Sequence, residues 1–126
     1  MIIEGLLYTE DHEWAKIDGD IATIGITNYA QESLGELTFV ELPDVGKEIE
    51  QKDELAVVES SKAASDVYAP VTGKITEVNS ELESAPEKIN EDCYKAGWIC
   101  TIQITDKSTI DKLMDSKQYE AYLKGL

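Results

Sequence analysis

The sequence predicts a mainly β protein built from two packed antiparallel sheets, with short helices at its margins. Three observations carry that expectation. Short runs rich in Val, Ile, Thr and aromatic residues recur along the chain. Turn signals break them repeatedly, at Asp18-Gly19, Pro43, Gly46, Pro70 and Gly73. Helical spacing of apolar residues is confined to one early interlude and the C-terminal stretch. Many short strands with frequent turns suit a sandwich. At 126 residues, one domain over 1–126 is expected, large enough for a single core without disulfide staples.

Taken in order, strands over 13–17 and 20–26 flank Asp18-Gly19, a strong hairpin signal that leaves a two- or a three-residue turn open. Thr27 is placed to cap a helix over 28–34, and Gly35 stands where a helix stops. Strand character returns over 37–42, 47–50, 54–60, 67–69, 74–78 and 98–105. Between the last two, the acid-rich stretch 79–92 holds Pro86 and fits one or two short helices. Helical spacing then predicts helices over 108–114 and 117–123, the first opened by a Ser108/Asp111 capping box. The β core is accordingly assigned to 20–105 and the C-terminal helices to 108–124. Two similar phrases, 45–49 and 71–75, stand at comparable distances from Lys62 and hint at two half-sheets related by a two-fold, with chance similarity over so few residues as the alternative.

Charge narrows the partners. Eleven Lys and Arg against 26 Asp and Glu give a formal charge of −15, a surface that repels phosphate backbones and anionic lipid. Neither a nucleic-acid nor a membrane partner is expected; enzymes with basic entrances would be steered favourably, although most of these charges read equally well as a merely solvated surface. The opening Met1-Ile2-Ile3-Glu4 has no basic n-region or apolar h-region. No stretch approaches the roughly 20 apolar residues of a membrane span. A cytoplasmic protein is the expectation. Cys93 and Cys100 form no C-x-x-C pattern and His12 is distant, so no metal site is expected. Cys100 alternates with Trp98, Ile102 and Ile104 and should face inward, while Cys93, in a loop-like stretch, should be partly exposed. Trp14 and Trp98 are expected to pack in the core or against a hairpin. His12 has no serine or cysteine nucleophile motif beside it and is read as a structural or surface residue rather than a base.

Chemistry concentrates at Lys62. It sits within Glu59-Ser60-Ser61-Lys62-Ala63-Ala64-Ser65-Asp66, between two strands, with only small residues beside it. Nothing bulky competes with its stem, so an enzyme could reach the amine at the hairpin tip. An exposed lysine is ordinarily just a solubilising charge, and Glu59 and Asp66 could simply protect a strand edge. A Ser61-Lys62 nucleophile is disfavoured: residue 59 is Glu, so no S-x-x-K frame exists, and a hairpin tip offers no oxyanion hole.

The stretch from Glu59 to Pro70, with Gly73 and Asn79 after it, closely resembles the lipoylation segment of the glycine cleavage system H-protein family. Further matches are Asp11-His12-Glu13-Trp14, Ile24-Gly25-Ile26-Thr27 running into Ala30 to Gly35, Val40-Glu41-Leu42-Pro43, and Tyr94-Lys95-Ala96-Gly97-Trp98. Three positions depart from the usual pattern: Ser61 for a common valine, Tyr29 for a histidine of some members, and Cys93 for a proline of many.

The resemblance implies a barrel-sandwich hybrid with the lipoyl-lysine hairpin at one end, and a carrier rather than an enzyme. Lipoic acid would be amide-linked to Lys62. Its arm would accept the aminomethyl group left by a pyridoxal-phosphate glycine decarboxylase and hand it to a tetrahydrofolate-dependent aminomethyltransferase. Dihydrolipoamide dehydrogenase would then reoxidise it, and a lipoate ligase or lipoyl synthase would install it. Glu59, Ser60, Ala63 and Asp66 would form the hairpin and the ligase's recognition marks. Glu13, Asp66 and Asp11 would make an acidic cleft for the cationic aminomethyl arm.

Related carriers fit less well. Biotin carriers flank their lysine with methionines, where Ser61 and Ala63 stand here. Lipoyl domains of 2-oxoacid dehydrogenases lack the Gly97-Trp98 segment and the C-terminal helices. An H-like lipoyl protein, serving as a lipoyl relay or in sulfur metabolism, is the alternative to glycine cleavage.

Overall fold

The computed structural model describes residues 2–126; of the opening stretch Met1-Ile2-Ile3-Glu4, Met1 lies outside them. Two antiparallel sheets form the molecule. The six-stranded sheet has the order β1-β2-β3-β9-β8-β5, from Leu7–Tyr8, Glu13–Asp18, Ile21–Ile26, Cys100–Asp106, Thr72–Val78 and Glu48–Ile49. The three-stranded sheet has the order β4-β6-β7, from Leu37–Glu41, Glu54–Ser60 and Ala64–Tyr68. Helices α1 (Asn28–Leu34), α2 (Glu81–Ser84), α3 (Lys88–Glu91) and α4 (Ser116–Lys124) fill the connections and the C-terminus. No helix among the described residues is long and apolar enough to cross a membrane.

Local chemistry explains the hinges of this plan. Asp18 pairs with Ile21, so the first turn takes two residues, and Gly19 supplies the positive φ of 63° that it requires. Thr27 caps α1 by accepting the N–H of Ala30, and the N–H of Gly35 closes the helix on the carbonyl of Gln31. The two similar phrases around the lysine meet: Glu48 lies opposite Lys74 and Ile49 opposite Gly73.

The main core gathers the inward residues of both sheets, among them Ile24, Val58, Val67, Ile75, Cys100 and Ile102. Each large side chain removed from water there contributes about 1.5–3 kcal/mol. A second cluster seats α4: Tyr119 stacks on Tyr8 with ring centroids 4.5 Å apart, beside Leu6 and Trp14. Among the described residues no buried side-chain polar atom lacks a hydrogen-bond partner.

Four expectations are corrected. Cys93 is buried, not partly exposed: its carbonyl accepts Trp14 Nε1 at 3.0 Å, drawing the residue under the indole. The last strand begins at Cys100 rather than Trp98, because Asn79 Nδ2 holds the carbonyls of Ala96 and Trp98 in a loop, leaving Trp98 half-buried. The helix expected over 108–114 is a 3-10 turn, Lys107–Lys112, capped by Asp106; Met114 instead pairs in extended form with Tyr8. The capping box consequently belongs to α4, between Asp115 and Gln118, and not to Ser108 and Asp111.

Candidate functional site

The lysine hairpin is built from β6 and β7, paired Val57 to Asp66, Val58 to Ser65 and Glu59 to Ala64. Ser60 and Ala63 close its tip through a 2.7 Å backbone hydrogen bond. The hydroxyl of Ser60 accepts the N–H groups of Lys62 at 3.3 Å and Ala63 at 3.2 Å, which fixes the turn from inside. Ser61, Lys62 and Ala63 are exposed, and Glu59 is half-buried. Lys62 takes part in neither of the ion pairs found among the described residues, despite the acidity of the chain. Ser60 and Ala63 therefore shape the loop, while Glu59 and Asp66 flank it on the two strands.

At the other end of β7 lies a cleft of about 230 Å³, lined in part by Thr9, Asp11, Glu13, Tyr68, Lys112 and Met114. Glu13 is 2 % exposed. Thr9 donates its hydroxyl to Glu13 Oε1 at 2.5 Å, and the backbone N–H of Tyr68 donates to Oε2 at 3.1 Å. Burial raises its carboxyl to about 7; those two hydrogen bonds pull it down and the charge of Asp11 pushes it up. Glu13 is thus poised to change charge near neutrality.

Asp11 is exposed at the rim of the same cleft. Asp66 is exposed on β7 and does not line the cavity, but its charge is the leading cause that raises the Tyr68 phenol, ahead of burial, Asp11, Glu54 and Glu13. Glu13 and Asp11 therefore line the cleft with Tyr68, while Asp66 stands two residues before Tyr68 on β7 and outside the lining. Along β7, five residues at about 3.3 Å each put the tip roughly 16 Å from Tyr68.

Thr9 and Tyr119, not foreseen as site residues, complete the arrangement together with His12. Thr9 holds Glu13, and nothing in the sequence marks it beyond its nearness to the Asp11–Trp14 phrase. His12 has a positive φ of 70°, and its Nδ1 lies 2.8 Å from the hydroxyl of Tyr119, which lies 2.8 Å from Thr27 Oγ1. Of the two places expected for His12, structural or surface, the half-buried ring takes the first, with its centroid also 4.4 Å from that of Tyr29. The chain links the cleft loop, the cap of α1 and α4.

Comparison with known proteins agrees with this geometry. The family model for the glycine cleavage H-protein matches residues 6–126. The glycine cleavage system H protein of Parvibaculum lavamentivorans is 53 % identical over 119 residues, 94 % of this chain and 95 % of that protein. The H protein of Alkaliphilus oremlandii is 52 % identical over 120 residues, 95 % of this chain and 94 % of that one. The crystal structure of a glycine cleavage system H protein from Mycobacterium marinum superposes with a TM-score of 0.89 at 38 % identity, covering 99 % of this chain and 100 % of that one. With the fold, the lysine hairpin and the acid-lined cleft in place, the chain belongs to the glycine cleavage H-protein family.

Proposed function

We propose that this protein is the non-catalytic lipoyl carrier of a cytoplasmic glycine cleavage system, with lipoic acid in amide linkage to Lys62. The observation that carries the reading is an exposed lysine, in no ion pair among the described residues, at the tip of a hydrogen-bonded hairpin, in a chain of this family. The residues fit the group: small neighbours leave the amine accessible, and a cleft with a buried carboxylate lies along the same strand. Modification would proceed from an acyl adenylate. The deprotonated Nζ attacks the carbonyl, the amide C–N bond forms, adenylate leaves with its electron pair, and the surplus proton passes to solvent.

Bound lipoate supplies a dithiolane that takes up the aminomethyl group of glycine from the decarboxylase, yields it to the aminomethyltransferase, and is reoxidised by dihydrolipoamide dehydrogenase. The protein's own residues do the rest. Ser60 and Ala63 keep the arm's base stiff, which raises the concentration of its free end at a docked partner. Glu59 and Asp66 mark the hairpin for the ligase. Glu13, with Asp11 and Asp66 nearby, receives a cationic amine; the positive charge favours the carboxylate form of Glu13, so seating the cargo releases a proton near neutrality. Acidic surface steers the carrier to basic entrances on its partners.

Intact mass tests the attachment. After incubation with ATP, lipoate and a lipoate ligase, wild type gains one lipoyl increment and Lys62→Arg gains none; no increment on wild type overturns the reading. Exchange of bicarbonate with the carboxyl of glycine, reconstituted with the decarboxylase, separates glycine cleavage from a lipoyl-relay role.

A further inference from the structure

Lys62 is exposed, yet its stem passes close to Gly35. A Cβ built on Gly35 would lie 3.3 Å from Lys62 Cε and 3.8 Å from Nζ, so the lysine rests on bare backbone where α1 ends. Gly35 holds φ at +82°, a conformation that favours glycine, which keeps this surface free of a side chain. Its N–H is bonded to the carbonyl of Gln31, and its own carbonyl is held by a residue of another helix. Asn90, in α3, donates Nδ2 to the carbonyl of Gly35 at 2.8 Å and to Gln31 Oε1 at 2.9 Å, while its Oδ1 accepts the N–H of Leu37 at 2.8 Å.

One carboxamide therefore ties the last turn of α1, the glycine and the first residue of β4. Leu37 in turn lies opposite Ser60, whose hydroxyl shapes the lysine turn. Seat and hairpin share the β4–β6 ladder, so the direction of the stem and the direction of the turn are fixed together.

We propose that Asn90 is a positioning residue for the modification of Lys62: it holds Gly35 as a seat that presents the amine to the incoming acyl group in one orientation. The inference rests on Lys62 being the lipoyl acceptor. No carboxylate pairs with Lys62 among the described residues, so packing on Gly35 orients the stem where an ion pair does not. A side chain already held near its reactive direction loses less freedom when the ligase binds it.

The test compares ligase kinetics for wild type, Asn90→Asp and Gly35→Ala, followed by intact mass with lipoate and ATP well below every unfolding midpoint. Asn90→Asp keeps the acceptor for Leu37 and loses both donated bonds. Gly35→Ala adds the Cβ that the lysine would meet. Each is expected to lower kcat/KM about five-fold, mostly through kcat, with KM little changed. Asp115→Ala, which weakens the cap of α4 far from the seat, lowers Tm but leaves lipoylation at the wild-type rate. A cross-peak between Lys62 Hε and Gly35 Hα in the NOE spectrum of wild type reports the seat directly and disappears in Asn90→Asp. If Asn90→Asp does not fold, Gly35→Ala and the wild-type cross-peak decide. Wild-type rates in both seat variants, or no such cross-peak in wild type, overturn the inference, whereas failure to lipoylate wild type overturns the carrier reading itself.

Discussion

The buried carboxylate of Glu13 accepts the backbone N–H of Tyr68 at 3.1 Å, tying an acid at the start of β2 in one sheet to the last residue of β7, the second strand of the lysine hairpin, in the other. Glu13 gives up solvation for that bond and for the hydroxyl of Thr9. Its protonation state is therefore coupled both to the stability of the fold and to the charge of the cleft.

The stability consequence has a definite sign. The carboxyl is raised from 4.5 to about 7, so between those values the folded chain binds more protons than the unfolded one, and stability falls as pH rises through that window. Glu13→Gln removes the penalty. It should leave stability unchanged at pH 4 and raise it at pH 8 by at most ~3 kcal/mol. Urea midpoints at pH 4, 6 and 8 check this; a variant that is equally destabilised at all three pH values would contradict it.

Cargo retention should respond in the opposite direction. Holoprotein loaded with its one-carbon cargo should release it about ten-fold faster in Glu13→Gln, because the cationic amine loses its buried partner. Asp66→Asn, altering an exposed carboxylate, should accelerate release less. Time courses of ammonia release from purified loaded protein provide the measurement, and equal rates in wild type and Glu13→Gln would remove Glu13 from the role.

Tyr119→Phe isolates the polar chain behind the cleft. It retains the ring that stacks on Tyr8 but removes the hydroxyl that His12 and Thr27 share. The expected cost is about 2 kcal/mol, or roughly 8 °C in Tm. Calorimetry showing a fall below about 1 °C would mean the chain contributes little to stability.

Both thiols should be silent in the native protein. Burial pushes Cys93 up to about 11 and Cys100 up to about 12, leaving almost no thiolate at pH 8. A chromogenic disulfide reagent should titrate no thiol in buffer and two in urea. Rapid native labelling of Cys93 would restore the exposure first expected of it.

Legibility from sequence followed how local each signal was. The capped helix from Thr27 to Gly35 and the lysine hairpin were readable because their own residues make the deciding hydrogen bonds. Glu13 was readable as a site through its surrounding phrase, but its burial was not. Glu13, Trp14 and Ala15 are all buried, so the alternation that marks a half-exposed strand is missing there; the cluster around α4 covers a face that would otherwise meet solvent. Cys93 was misjudged for a similar reason, since the indole that draws it in lies far away in sequence. Gly35 was visible only as a helix stop. Its contact with Lys62, and the hold of Asn90 on its carbonyl, exist only once three separate segments converge.

The tip held by the Ser60 hydroxyl has a consequence for portability. Its closing bonds involve only Ser60, Lys62 and Ala63, so a short hairpin grafted onto another antiparallel pair would carry the shape of the acceptor turn with it. The seat at Gly35 and the guard at Glu13 would stay behind. Such a graft would be an address without its shelter: open to being tagged, but with nothing to keep a delivered cargo from water.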